Sequence, residues 1–128
     1  MILDSSAVVA LFLKEQGHEL LRHKIGTATF LGISAATLVE TALVLSARLN
    51  RDMRGSLARF IEESGAIVIP FTESHYSLAV SAWLKYGKGR HPAALNFGDC
   101  LAYAAARAAG MPLLFVGDDF PQTDLQLA

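Results

Sequence analysis

Carboxylates stand at four places along this 128-residue chain where an apolar run ends or a helical pattern begins. They are Asp4, Glu40, Asp99 and the adjacent pair Asp118 and Asp119. A carboxylate just beyond the carboxyl end of a parallel strand faces the crevice in which open α/β sheets bind ligands. Carboxylates that share a crevice repel each other unless a hard cation such as Mg²⁺ or Mn²⁺ lies among them. The set therefore indicates a metal-binding site.

Each acidic residue also has a simpler explanation. Asp4 and Asp99 could cap the helices that follow them. Glu40 could face solvent, although no other charge occurs between residues 35 and 47, so its burial would require a cation. Asp118 and Asp119 could belong to a solvated turn. The four histidines are dispersed and there is a single cysteine, which argues against zinc.

The elements that would position these residues alternate along the chain. Apolar runs at residues 1–3, 28–33, 66–69 and 113–116 predict strands, and helical patterns lie between them. This alternation predicts an α/β fold, a three-layer α/β/α sandwich with a mainly parallel central sheet covered on both faces. Predicted helix starts are Ser5 or Ser6, Gly17, Ser34, Glu73 or Ser74, and Asp99, and predicted stops are Gly65 and Gly110.

Composition restricts the possible functions. The length fits one domain, residues 1–128, and 18% charged residues against 52% hydrophobic ones suggest that a partner covers some apolar surface. A formal net charge of −1 excludes nucleic-acid binding through bulk charge, so a local basic patch would be needed. Cys100 is the only cysteine, and neither a signal peptide nor a membrane span is indicated. A cytoplasmic location is expected.

Four segments, in order and over essentially the whole chain, resemble the PIN-domain ribonucleases, in particular the VapC toxins of bacterial toxin–antitoxin modules. They are Ile2-Leu3-Asp4-Ser5-Ser6-Ala7, Ser34-Ala35-Ala36-Thr37-Leu38-Val39-Glu40, Leu95-Asn96-Phe97-Gly98-Asp99-Cys100-Leu101-Ala102-Tyr103-Ala104, and the stretch from Leu113 through Val116-Gly117-Asp118-Asp119 to Leu125. The resemblance implies a Mg²⁺- or Mn²⁺-dependent endoribonuclease that forms a homodimer and is inhibited by a cognate VapB antitoxin.

The resemblance also assigns roles to residues. Asp4, Glu40 and Asp99 match the family's acidic positions, and the fourth position falls on Asp118 or Asp119. Asp118 is favoured here because it lies nearer the strand end, and Asp124 is interpreted as structural. In this hypothesis Asp4, Asp99 and Asp118 hold the metal directly or through water, with Asp119 as a further candidate ligand. Glu40 binds metal or orients the attacking water, and Ser6 and Asn96 hydrogen-bond the carboxylates.

Two further surfaces are predicted. RNA phosphates could contact basic residues beyond the Glu40 helix and in the glycine-rich stretch 85–95, where Tyr86 could stack a base, although either region could simply be solvated. An antitoxin segment could bind a groove formed by the first two helices and the Glu40 helix, although core packing would equally explain their apolar residues. The basic candidates are Arg48, Arg51, Arg54, Lys85, Lys88 and Arg90, and the groove candidates are Val8, Val9, Leu11, Phe12, Leu20 and Leu21.

Two other classes of protein remain as alternatives. A receiver domain of two-component signalling has a similar length and acidic strand ends. It would need adjacent acids after an early strand, a phosphoacceptor Asp in mid-chain and a Lys after the last strand. In this chain serines follow Asp4, residues 67–69 are followed directly by Pro70 and Phe71 without an Asp, and Gly117 occupies the expected place of the Lys. The other alternative is a catalytically inactive PIN-like module that binds RNA or protein.

Overall fold

Four parallel strands form the centre of the computed structural model, which describes all 128 residues. The strands are β1 (Ile2–Leu3), β2 (Gly32–Ser34), β3 (Ile67–Ile69) and β4 (Leu113–Leu114), in the spatial order β3-β2-β1-β4. Six α-helices surround the sheet: α1 (Ser5–Phe12), α2 (His18–Thr27), α3 (Ala35–Leu49), α4 (Arg54–Ser64), α5 (Glu73–Tyr86) and α6 (Phe97–Ala109). None of them is both long and apolar enough to cross a membrane.

Local sequence signals account for most helix ends. The Ser34 hydroxyl accepts a hydrogen bond from the Ala36 amide at 3.2 Å and caps α3 as predicted. Gly65 and Gly110 end α4 and α6 in the left-handed conformation that glycine adopts readily. The helix α1 begins at Ser5, but its cap is Asp4, the alternative left open above, and not Ser5 or Ser6. The predicted start of α6 at Asp99 is wrong, because the helix begins at Phe97 and its cap is Asn96.

Two hydrophobic cores lie on opposite faces of the sheet, which confirms the predicted three-layer α/β/α arrangement. Ile2 and Leu113 belong to the core that contains residues of α5 and α6. Leu3 and Leu114 belong to the core that contains residues of α1, α2, α3 and α4. Consecutive residues of a strand point to opposite faces, so each two-residue strand contributes one side chain to each core.

The strand β3 departs from the expectation of a sheet covered on both faces. Ile67 is 54% exposed and Val68 is 40% exposed. β3 pairs with β2 alone and lies at the edge of the sheet, so its side chains receive less cover than those of β1. The predicted burial is wrong for this strand.

The strand order places a reversal point beside β1. The chain passes from β1 to β2 to β3 in one direction and then crosses to β4 on the other side of β1. In open α/β sheets the crevice for ligands forms outside the carboxyl ends of the strands at such a reversal. The residues that follow β1 and β4, which include Asp4, Asp118 and Asp119, therefore line the expected position of a site.

The C-terminal segment is held against α6 and β4. The Tyr103 hydroxyl donates a hydrogen bond to Asp124 Oδ1 at 2.7 Å, and Arg107 lies 3.5 Å from Asp124 Oδ2. Leu127 pairs with Leu113 in an isolated bridge. These contacts are structural and lie apart from the other carboxylates, in agreement with the interpretation of Asp124.

Candidate active site

Asp4 is the most buried of the acidic residues, with 2% of its surface exposed. Its Oδ2 accepts hydrogen bonds from the Ser6 amide at 3.1 Å and the Ser6 hydroxyl at 2.5 Å, and thereby caps α1. Its Oδ1 is buried and has no hydrogen-bond partner in the protein. One oxygen therefore serves the helix, and the other remains free for a ligand.

Ser6 connects Asp4 to the loop that follows β4. Its hydroxyl donates to Asp4 and accepts a hydrogen bond from the Val116 amide at 2.9 Å. Val116 lies just before Gly117, Asp118 and Asp119. The hydroxyl thus couples the position of the Asp4 carboxylate to that of the loop carrying the last two acids.

Glu40 reaches the same region from α3. The residue is partly buried, and its Oε1 is buried without a hydrogen-bond partner. Its carboxylate lies against Gly98 at the start of α6, within 2.7 Å of the position that a Cβ on Gly98 would occupy. Glu40 therefore does not simply face solvent. Gly98 was not among the predicted site residues, although a glycine inside the first turn of a helix is itself an unusual choice.

Asp99 is oriented by a capping box at the start of α6. The Asn96 side chain accepts a hydrogen bond from the Asp99 amide at 2.8 Å, and Asp99 Oδ2 accepts one from the Asn96 amide at 3.0 Å. The contact to the Asp99 carboxylate thus comes from the backbone amide of Asn96, while the Asn96 side chain caps the helix. Both arrangements hold Asp99 in the first turn.

Electrostatic interactions join these side chains into one cluster. Burial raises the pKa of Asp4 to about 6 despite hydrogen bonds from Ser6, and the charge of Glu40 raises it further. Burial also raises the pKa of Asp99 to about 7, and the charges of Asp4, Asp119 and Glu40 add to the increase. The ionised forms of Asp4 and Asp99 are therefore unfavourable without a compensating positive charge.

The adjacent acids Asp118 and Asp119 differ in their relation to this cluster. Both are exposed in the loop after β4. The charge of Asp119 raises the pKa of Asp99. The Asp118 carbonyl instead accepts a hydrogen bond from Gln122 Nε2 at 3.2 Å. Asp4, Glu40 and Asp119 thus all contribute to the raised pKa of Asp99.

The donor set fits a hard cation with water in its shell. Two buried carboxylate oxygens, Asp4 Oδ1 and Glu40 Oε1, have no partner within the protein. As the side chains stand, no group of three acidic, His or Cys residues could hold one metal ion. Mg²⁺ needs no such group, because it keeps several waters and binds proteins through one or two carboxylates. We therefore regard the site as suited to an ion held by few direct ligands.

The predicted basic residues occupy two exposed regions. Arg48 lies in the last turn of α3, roughly 12 Å along the helix axis from Glu40 at 1.5 Å per residue. Arg54 forms an ion pair with Asp52 at 2.8 Å. Lys85 lies over the ring of Tyr86, and Arg90 lies over the ring of Trp83 at 4.3 Å from its centroid. Arg51 and Lys88 lie in the connections that follow α3 and α5.

The structure contradicts the expected role of one aromatic side chain and decides between the two alternatives for three apolar ones. Tyr86 is 5% exposed and packs against Tyr103 and His91, so its ring is not available to stack a base. Among the groove candidates, Val8, Val9 and Leu21 are buried in the core because α1 packs beneath α2 and α3. Core packing is therefore the correct explanation for these three residues.

A large apolar surface extends from α5 across the start of α6 to α3. Its centre is Phe97, which is 79% exposed. Between α5 and α6 the surface forms a groove of about 480 Å³ that is lined only by hydrophobic residues. On the other side of Phe97, Val39 and Leu43 of α3 are also exposed. The groove is lined by Phe71, Tyr76, Ala79, Val80, Trp83, Phe97, Cys100 and Leu101.

Comparison with known proteins identifies the family. Residues 1–125 match the family model of the PIN domain. The chain is 47% identical to ribonuclease VapC36 of Mycobacterium tuberculosis over 127 residues, which cover 98% of this chain and 91% of that protein. It is 35% identical to ribonuclease VapC of Mycolicibacterium smegmatis over 125 residues, which cover 98% and 97% of the two chains.

Solved structures share the same fold. The crystal structure of VapC20 from Mycobacterium tuberculosis, described as a sarcin-ricin loop cleaving toxin, aligns with a TM-score of 0.79 and 19% identity. The alignment covers 99% of this chain and 97% of that chain. A toxin–antitoxin complex from Klebsiella pneumoniae aligns with a TM-score of 0.72 and 16% identity, and the alignment covers 99% of this chain and 95% of that chain.

The match to the PIN model excludes the receiver-domain alternative and agrees with the observed three-layer fold. With its carboxylates gathered at the carboxyl ends of β1 and β4, the chain belongs to the PIN-domain family and, within it, to the VapC ribonucleases.

Proposed function

We propose that the protein is a Mg²⁺- or Mn²⁺-dependent endoribonuclease that acts as the toxin of a VapBC-type module. The observation that carries this proposal is the cluster of Asp4, Glu40, Asp99 and Asp119, in which two buried carboxylate oxygens have no partner. Such a cluster is poorly suited to bind RNA alone, because it would repel phosphates. A divalent ion between the carboxylates and a phosphodiester removes that repulsion.

The roles of the chain's own residues follow from their contacts. Asp4 and Asp99 are the proposed metal ligands, because their ionised forms are costly without a cation. Glu40 presents its free Oε1 to bind the ion or to accept a proton from the attacking water. Ser6 and Asn96 hold the Asp4 and Asp99 carboxylates in place. The ion, when bound, would polarise the phosphodiester and activate water for in-line attack.

Asp119 is the proposed fourth acid. The initial preference for Asp118 rested on its position nearer to the strand end. The interaction between Asp119 and Asp99 favours Asp119, since a residue that shares a metal must lie near the other ligands. Asp118 could still contribute a water-mediated contact from the exposed loop.

RNA contacts are proposed at two exposed basic regions. Lys85, Lys88 and Arg90 lie at the end of α5 and in the loop that follows. Arg48 and Arg51 lie at the far end of α3. Arg54 is the weakest candidate, because Asp52 already neutralises its charge. Exposed cations of this kind would bind phosphates without reading their sequence.

The proposed protein partners are a VapB-type antitoxin and a second copy of this chain. The similarity to VapC ribonucleases and the alignment with toxin–antitoxin complexes support the antitoxin. The apolar surface centred on Phe97 supports the homodimer, since an exposed apolar face of this kind is unfavourable in water. A cytoplasmic location is proposed because the single cysteine, Cys100, is free.

Removal of a proposed metal ligand tests the activity. We expect Asp4→Asn and Asp99→Asn to abolish Mg²⁺-dependent cleavage of RNA, because each substitution removes a charge that would hold the ion. Cleavage is measured from RNA ends after incubation with Mg²⁺ or EDTA. The exposed acid Glu19 in the first turn of α2 provides the matched control Glu19→Gln. Full cleavage by both site variants, or equal cleavage in EDTA, would contradict the proposal and favour an enzyme without metal, whereas absence of cleavage by the wild type would favour an inactive binding module.

The two adjacent acids can be separated by the same assay. We expect Asp119→Asn to reduce cleavage by about 10- to 100-fold, the range found when metal-site partners are lost. Asp118→Asn should have a smaller effect, because the hydrogen bond to Gln122 uses only its backbone carbonyl. A larger loss in Asp118→Asn would restore Asp118 as the fourth acid.

The raised pKa values predict how stability depends on pH in the absence of metal. Asp4 and Asp99 hold their protons more tightly in the folded chain than an unperturbed aspartate with a pKa of 3.8, so the free energy of unfolding should fall as pH rises from about 4 to about 7. For Asp4 the increase of about two pH units corresponds to about 3 kcal/mol. Thermal melting in EDTA across this range measures the decrease.

Two controls accompany the melting series. Asp4→Asn should flatten the pH dependence, whereas Asp52→Asn should not, since the lowered pKa of Asp52 affects stability only at lower pH. Mg²⁺ should raise the melting temperature more at pH about 8 than at pH about 5, because it binds the ionised carboxylates. A free energy of unfolding that rises steadily with pH in EDTA would show that the pKa values of the buried carboxylates are not raised.

The apolar surface predicts a dimer that one charge can disrupt. We expect the wild-type protein to have the mass of a dimer in light scattering, and Val80→Arg, in the groove between α5 and α6, to have that of a monomer. Burial of an unpaired charge in an apolar interface is costly. Leu20→Arg, an exposed position on α2 in the other helical layer, should remain dimeric. A wild-type monomer, or a dimeric Val80→Arg, would contradict this interface.

A further inference from the structure

Gly98 is the second residue of α6 and lies between the exposed Phe97 and the acidic Asp99. Its φ angle is not in the left-handed region, unlike those of Gly65 and Gly110. Backbone freedom therefore does not explain the glycine. In the first turn of a helix alanine would be the more stable choice, because glycine loses more conformational entropy on folding.

The explanation lies in the contact with Glu40. A Cβ on Gly98 would lie 2.5 Å from Glu40 Cδ and 2.7 Å from Oε1, and closer still to Oε2. Real Cβ atoms essentially never approach other atoms within 3.0 Å. Any side chain on residue 98 would therefore displace the carboxylate from its position. The two other α-helical glycines, Gly26 and Gly55, have open space where a Cβ would lie.

We propose that Gly98 is a positioning residue for Glu40. The missing side chain leaves a recess on the first turn of α6, and the carboxylate that arrives from α3 occupies it. In this recess Glu40 lies near Asp4 and Asp99, whose pKa values its charge raises. The inference deepens the proposed function, because it assumes that Glu40 acts in a divalent-metal site.

The nature of the contact predicts the effect of filling the recess. The atoms that would collide belong to the end of a flexible side chain and not to the backbone. A methyl group at residue 98 would therefore move the Glu40 carboxylate and leave the helices in place. Apolar residues, among them Val39, Val44 and Leu101, line the pocket beside it, and Glu40 Oε1 has no hydrogen-bond partner that would hold the carboxylate against the methyl group.

The experiment compares Gly98→Ala with Gly55→Ala, which alters the same second position of α4 where a methyl group meets nothing. Mn²⁺ alone is the probe, titrated by calorimetry, and thermal melting in EDTA reports folding. We expect Gly98→Ala to weaken Mn²⁺ binding by roughly 10- to 100-fold, as for other residues that orient metal ligands. Its melting temperature should not fall, because alanine favours the helix. Gly55→Ala should bind Mn²⁺ like the wild type.

A double-mutant cycle separates positioning from a general structural effect. In the Glu40→Ala background, Gly98→Ala should cause no further loss of Mn²⁺ binding, because the colliding carboxylate is absent. Equal losses in both backgrounds would overturn the inference, and so would undiminished Mn²⁺ binding by Gly98→Ala. If Gly98→Ala does not fold, folding of Glu40→Ala/Gly98→Ala supports the inference and failure of both overturns it. Absence of Mn²⁺ binding by the wild type would instead refute the proposed function.

Discussion

The burial of the Asp4 carboxylate is the constraint on which the site depends. A carboxylate with 2% exposure at the end of β1 loses most of its hydration, and only one of its oxygens recovers hydrogen bonds, from Ser6. The cost appears as the raised pKa of Asp4. The fold tolerates this cost in a region where Glu40 and Asp99 add further negative charge. Perturbed pKa values of this kind are common at functional sites.

The surrounding structure keeps these charges together. Ser6 joins Asp4 to the loop after β4, and the capping box of Asn96 orients Asp99 on α6. The cores on both faces of the sheet anchor α3 and α6, so that their carboxylates cannot move far apart. Repulsion within the cluster is thus opposed by hydrophobic burial elsewhere in the domain, which is far larger in total than any single electrostatic contribution.

The apolar surface and the acidic cluster meet at the start of α6. Phe97 is the most exposed large hydrophobic residue, Gly98 receives Glu40, and Asp99 belongs to the cluster. Association of a second copy through Phe97 would therefore bury residues beside the site and exclude water from one side of it. Lower hydration strengthens the interaction between carboxylates and a cation, so oligomeric state and metal affinity would be linked in this protein.

The sequence by itself determined the alternation of strands and helices, the Ser34 cap and the glycine stops, because these depend on residues close together in the chain. It also indicated that the acids after β1 and in α3 and α6 belong together, through family resemblance and the geometry of parallel sheets. Only the tertiary structure decided that Tyr86 is buried and that β3 is an exposed edge, and only there does the charge of Asp119 act on the pKa of Asp99. It alone gave a reason for Gly98. These features depend on contacts between distant segments, and neither local propensity nor periodicity contains information about such contacts.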